Sequence, residues 1–538
     1  VSAIIRRGSR GTIVRAAASA LALWLLAIGC RTPARPPLGA VSLPDLSRAA
    51  ESVRAQLRDR YSALTRATAN PEAAPSELAE AYGTVGMLLM AAEYREQAEA
   101  CLLNAEALAP DNLKWPYYLA HLYKTAGDAA KSEAAFERVL RVEPRHVSAL
   151  VWLGDARLDA GRPEAAQPLF ERALAEDPQS LAAFVGLGRA ALAQSDYAGA
   201  RERLERALAI DPRQVAIHYP LAMAYRGLGQ QDEADAHMRL RRPGTIGPSD
   251  PLMLELETIL ESPVAYEVRG AKALGERNFT AATTYFRKGI NLAPGEPSLH
   301  HKLGTALYLS GDARGAAHEF ALALRLSPAF AKAHYSLGVL LAGDGRIGDA
   351  LQHLNEAVRA DPADAEARVR LADVLRRSGR AAESLSRYAD AAALDPRAPD
   401  APLGYAFALV DLHRYREARD RLQEGVRQYA NRPEFVHALV RLLTAAPEAA
   451  VRDGREALAL MRGVLAREPR GVEVGELMAM TQAELGQYSE AVTWQRDALT
   501  AAERLSRPDL VRRLSETLTR YEHGQPCRTL ELDQAGAP

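Results

Sequence analysis

Apolar side chains recur at helical spacing from about residue 45 onward, and the recurrence is cut into blocks of 34 residues. Prolines stand at 110, 144, 178 and 212 and again, after an interruption, at 294, 328, 362 and 396. Small residues keep the same beat in two series. The first is Gly86, Ala120, Gly154, Gly188 and Ala222, then Gly270, Gly304, Gly338, Ala372 and Ala406; the second is Ala98, Ser132, Ala166, Ala200 and Ala234, then Ala282, Ala316, Ala350, Ser384 and Ala418. Phe136, Phe170, Phe286 and Phe320 each follow a member of the second series by four residues and so share its helix face. A fixed period of this length marks an array of supersecondary units.

Each class has a physical task in a helix–turn–helix unit. Small side chains let two helices approach closely, the phenylalanines fill the space between them, and the proline ends the second helix. Turns such as Ala126-Gly127-Asp128 and Ser310-Gly311-Asp312 place a glycine where a left-handed cap is needed. Leu153-Gly154, Ala166 to Phe170, Ala173-Leu174 and Asp177-Pro178 resemble the tetratricopeptide repeat signature in order and spacing, a likeness covering roughly residues 79 to 500. The resemblance implies an all-α fold: an α-solenoid, a right-handed superhelix of about 12 helix-turn-helix units in two arrays, whose concave groove receives other proteins or peptides. It says almost nothing about which partner.

The interruptions set the expected boundaries. Array one spans 79–242 and array two 263–500, with an insertion at 243–262 carrying Pro243, Gly244, Gly247, Pro248 and Pro251 and a short helix at Leu252 to Leu260. A bend between the arrays is expected there. Two units around Ala457 and Ala491 follow an extra five residues, since Ala418 plus 34 falls at 452. Residues 45–78 read as an N-terminal helix and linker, with Leu46, Val53, Leu57, Tyr61 and Leu64 at helical spacing. Residues 501–538 read as a capping helix, Pro508 to Tyr521, and a loose tail.

Residues 1–30 read as a targeting segment: Arg6, Arg7, Arg10 and Arg15, then an apolar stretch from Ala16 to Ile28 that is too short for a membrane span. Leu26-Ala27-Ile28-Gly29-Cys30 resembles a bacterial lipobox, which implies lipidation of Cys30 and a membrane lipoprotein facing the periplasm at the cell envelope; cleavage without lipidation would instead give a secreted protein. Residues 31–44 are proline-rich and read as a tether holding the folded part off the membrane.

Charge and candidate chemistry narrow the function. With 67 basic and 68 acidic residues no net field favours nucleic acid. Repeats occupy the length a catalytic domain would need, and no Walker loop, nucleophile elbow or His-Glu-x-x-His spacing occurs. The expectation is therefore no enzyme, no cofactor, no metal and no small-molecule substrate; His300 and His301, adjacent on a helix, point about 100° apart. Cys101 and Cys527 stand at opposite ends of the repeats and are expected to be free thiols.

Helical phase selects a stripe on the first helices that faces away from the packing positions. It contains Tyr117, His121 and Lys124, Asp155, Arg189, then Tyr219, Met223 and Arg226 in array one. In array two it contains His301, Thr305, Tyr308, Tyr335, Asp373 and Arg376. Tyrosine and arginine combine contact area with directional hydrogen bonds, as a recognition surface requires. Asparagine is missing from the stripe, which argues against a carboxylate clamp. The reading is a protein-binding scaffold anchored at the bacterial envelope; the alternative is an accessory subunit delivering substrate to a separate envelope enzyme, a peptidase or glycosyltransferase.

Overall fold

One backbone position in most of the units reverses the chain. Gly127, Gly161, Gly229, Gly311, Gly345 and Gly379 have positive φ, and Glu93, Ser195, Arg277 and His413 adopt it where the same position lacks glycine. A left-handed residue turns the chain sharply enough for two helices to lie antiparallel, and for a non-glycine residue this costs about 1–2 kcal/mol. Asp128, Asp196, Asn278 and Asp312, each next in sequence, accept a hydrogen bond from a backbone N–H in the first turn of the following helix.

The structure is a computed structural model that describes residues 36–244, 246–466, 468 and 471–530. Its helices fall into two compact units, residues 1–265 and 266–538. In the first unit α1 (Glu51–Ala69) precedes α2 (Pro75–Ala91), α3 (Arg95–Leu108), α4 (Lys114–Ala126), α5 (Ala129–Val142), α6 (Val147–Asp159), α7 (Pro163–Glu176), α8 (Leu181–Ala193), α9 (Tyr197–Ile210), α10 (His218–Gly227), α11 (Gln231–Leu240) and α12 (Pro251–Ile259). From α13 (Pro263–Gly275) the order continues with α14 (Phe279–Leu292), α15 (Pro297–Leu309), α16 (Ala313–Leu326), α17 (Ala331–Gly343), α18 (Ile347–Ala360), α19 (Ala365–Arg377) and α20 (Ala381–Leu394). It closes with α21 (Asp400–Asp411), α22 (Tyr415–Gln428), α23 (Pro433–Ala445), α24 (Gly454–Leu465), α25 (Val472–Glu484), α26 (Tyr488–Arg504) and α27 (Pro508–Glu522). Consecutive helices pair from α2 to α11 and from α14 to α26, and Phe286 of α14 packs on Gly270 of α13, so the fold is an all-α solenoid.

The small residues work as their spacing requires. A Cβ added to Gly154 would stand 2.7 Å from the Phe170 ring, and one on Gly186 would stand 2.3 Å from the same ring. Phe170 thus closes its own helix pair and seats the next pair on it. First helices of neighbouring units also touch one another, as α6 does α8 and α19 does α21. This crowding makes the first-helix side the inner side of each stack.

Two segments depart from expectation, and the five-residue insertion read before Ala457 takes a defined place between them in the chain. Residues 38–43, assigned to a free tether, lie against the first unit: Gly39 exchanges two hydrogen bonds with the Asn104 side chain (2.8 and 2.9 Å), and Tyr61 donates to the Val41 carbonyl at 2.9 Å. The five extra residues enter the turn between α23 and α24, where Val451 is buried and Arg452 donates to the Ala446 carbonyl at 2.8 Å. The tail after His523, expected to be loose, runs back over the inner helices of the second unit. There Arg528 donates to the Thr444 carbonyl at 2.6 Å and pairs with Glu484. Each segment supplies backbone or guanidinium groups to polar atoms that helix packing leaves unmet.

Candidate binding face

Tyr117 on α4 was selected as an exposed groove residue; it is fully buried. Its ring packs edge-on to Phe136 with centroids 5.9 Å apart, and its hydroxyl donates to the Asp250 carboxylate. His121, also expected to be exposed, is 5% exposed. The cover is the insertion itself. Asp250, which caps α12, accepts from Trp152 Nε1 at 2.9 Å and lies 3.8 Å from His121 Nε2. Ser148 donates to the Ser249 carbonyl at 2.8 Å, Tyr118 donates to the Leu252 carbonyl at 3.2 Å, and Lys114 pairs with Glu255 at 3.3 Å. Gln56 on α1 accepts from the Glu261 N–H at 3.1 Å, holding the far end. Residues 246–261, read from sequence as the place of a bend, therefore fill the inner face of α2, α4 and α6.

Burial pushes the His121 imidazole down to about 4, against the attraction of Asp250 and with Lys124 adding to the depression, so the ring is neutral in the folded protein. Lys124 lies over the Trp152 ring, 3.6 Å from its centroid. Asp155 accepts from Arg189 at 2.8 Å and Asp159 accepts from the same guanidinium at 2.9 Å, so these two stripe positions meet as an ion pair between successive first helices. Burial outweighs that pair and lifts the Asp155 carboxyl to about 6. Tyr219 and Arg226 on α10 are exposed.

In the second unit the stripe is exposed at Tyr308, half-buried at His301, Thr305, Tyr335 and Asp373, and buried at Arg376. His301 lies 3.0 Å from Ser336 Oγ between the rings of Phe320 and Phe330, and Tyr335 donates to Glu366 at 2.6 Å. Asp373 accepts from Tyr388 at 2.6 Å. Arg376, expected at the surface, is 7% exposed and bonds Asp411 at 2.9 Å. Tyr308 remains 49% exposed. Val268, on the same side of α13, is 62% exposed and occupies the register position that Tyr118 holds in the first unit. Spacing did not select Trp152, Tyr118, Asp250 or Val268. The Ser249-Asp250-Pro251 cap was the one local signal for any of them.

Among the described residues no group of three or more His, Cys, Asp or Glu is placed to hold a metal ion. His300 instead shares a hydrogen bond with Glu319 at 2.7 Å. Cys101 is buried and its thiol is pushed up to about 12, while Cys527 is free and half-buried. Among the described residues no helix is long and apolar enough to cross a membrane. Cys30 lies outside the described residues.

A stack of helix pairs whose first helices crowd one side belongs to the class of helical-repeat binding proteins. Two family models described as tetratricopeptide repeat match the chain, one at residues 117–180, 301–365 and 341–402 and the other at 191–240 and 375–443, so these stretches are tetratricopeptide repeats. Among solved structures it is similar to MamA 41-end from Desulfovibrio magneticus RS-1, with 20% identity, 30% of this chain and 91% of that one covered, and a TM-score of 0.29. It is also similar to a tetratricopeptide repeat protein from Parabacteroides merdae ATCC 43184, with 16% identity, 47% and 92% covered, and a TM-score of 0.32. No curated protein matches it.

Proposed function

We propose that this protein is a non-catalytic scaffold that binds segments of other proteins on the inner face of its second unit, and that a lipid on Cys30 holds it at the bacterial envelope. One observation carries the first part. In the second unit Val268 and Lys332 stand exposed at the register positions from which Tyr118 and Ser148 hold an in-chain helix in the first, and Tyr308 stands exposed at the register position of Lys124. An exposed valine and tyrosine together with the exposed Lys332 suit a partner segment with an apolar stripe and an acidic end. The lipid anchor is supported by Leu26 to Cys30 and the arginines before them.

Capture from detergent-solubilised bacterial membranes tests the binding, with the wild-type chain beside a Val268→Asp, Tyr308→Ala variant. Loss of the captured protein in the variant, with an unchanged melting curve, is expected; equal capture would refute this face as the site. A captured set of structural envelope proteins fits a scaffold, and a single stoichiometric peptidase or glycosyltransferase fits substrate delivery. Mass spectrometry of the mature N-terminus is expected to find an acylated Cys30, and an unmodified N-terminus at another residue would remove the anchor.

A further inference from the structure

The insertion meets the first-unit groove as a bound peptide would. Its helix α12 is nine residues long, too short to hold its fold alone, and of its side chains only Leu256 is fully buried while Leu254 stays 57% exposed. Before it run Pro243, Gly244, Gly247 and Pro248 without regular structure. The groove supplies a receptor for its start: Tyr117 and Trp152 both donate to the Asp250 carboxylate, Ser148 donates to the Ser249 carbonyl, and Lys114 faces Glu255. The fit is incomplete. His121 Nε2, inside a residue 5% exposed, has no hydrogen-bond partner and stops 3.8 Å from that carboxylate. A buried ring nitrogen left unmet weakens the internal complex relative to a segment that reaches it.

We propose that residues 246–261 are an intramolecular ligand of the first-unit groove, and that the groove's external partner is a segment of the same chemistry. That partner is a short amphipathic helix opened by Ser-Asp-Pro or its equivalent, with a carboxylate at the cap, a second acidic residue about one turn on and an aliphatic stripe at the positions of Leu252, Met253, Leu256 and Ile259. The internal segment sets a threshold: a partner binds only by displacing it, and the apparent affinity falls by the fraction of chains that are open. This rests on the reading that inner first-helix faces bind protein segments.

The test uses the whole chain and a fluorescein-labelled synthetic peptide of residues 246–261, read by fluorescence anisotropy. Replacing 246–261 by glycine and serine at equal length opens the groove. The opened chain is expected to bind the peptide at least about tenfold more tightly than wild type does. Asp250→Ala in the peptide is expected to weaken binding by at least about tenfold, because the carboxylate that accepts from both Tyr117 and Trp152 is removed. An opened chain that keeps its helical circular dichroism yet fails to bind, or equal binding by both chains, overturns the proposal. Hydrogen exchange on the wild type decides the matter even where the opened chain does not fold. Amides of 252–259 are expected to exchange well before those of 117–123; exchange only in step with global unfolding would make the segment a fixed strap and overturn the proposal. No external partner enters this assay, so its failure leaves the capture experiment on the second unit standing.

Discussion

Tyr117 and Tyr308 are both stripe tyrosines, yet they live in opposite environments. Tyr117 is buried among Phe136, His121 and Asp250, so Tyr117→Ala is expected to cost about 3–5 kcal/mol, as large aromatic truncations in a core do. Tyr308→Ala deletes a half-exposed ring and should stay within about 0.5 kcal/mol. Denaturant titration of the two variants checks this, and equal losses would contradict the placement. His301 gives a pH signature: burial, with Lys332 and Lys302 adding to it, pushes its imidazole down from 6.5 to about 4. Between these values the unfolded chain binds a proton that the folded chain refuses. The contribution is therefore intact above about pH 6.5 and lost as pH falls toward 4, by at most about 3 kcal/mol. His301→Gln should flatten the stability curve across that window, and an unchanged slope would contradict it. Helical phase placed the stripe on the inner side but could not show its burial, because the residue that covers Tyr117 stands 133 positions away.

At the scale of the element, the 34-residue beat made the fold legible. Gly154, Gly186 and Phe170 are one contact repeated along the chain, and the left-handed position recurs even where Arg277 or Glu93 fills it. Gly154→Leu must push Phe170 aside and is expected to cost about 1–3 kcal/mol. The damage should appear as faster amide exchange in α6 and α7 and in α8, which rests on the same ring; a loss confined to α6 would contradict nearest-neighbour stacking. The segments that escaped reading follow no period. Residues 38–43 and 524–530 are held by Asn104 and Arg528, single side chains bonding backbone carbonyls or amides. A lone arginine or asparagine in sequence does not announce such a partner.

For the whole molecule, composition, charge and the repeat define a helical-repeat protein and leave its partner unnamed, because stacking uses the small residues and aromatic wedges while recognition uses whatever faces inward. The same face exists in two conditions: filled by residues 246–261 in the first unit, and presenting Val268 and Tyr308 in the second. That contrast supports binding on the inner face. A photo-activated cross-linking residue placed in living cells at Tyr308, and separately at Arg325 and Glu356 on the second helices, tests it most directly. Tyr308 is expected to give a discrete protein adduct that the outer positions do not. Adducts from Arg325 or Glu356 alone, with Tyr308 silent, would contradict it.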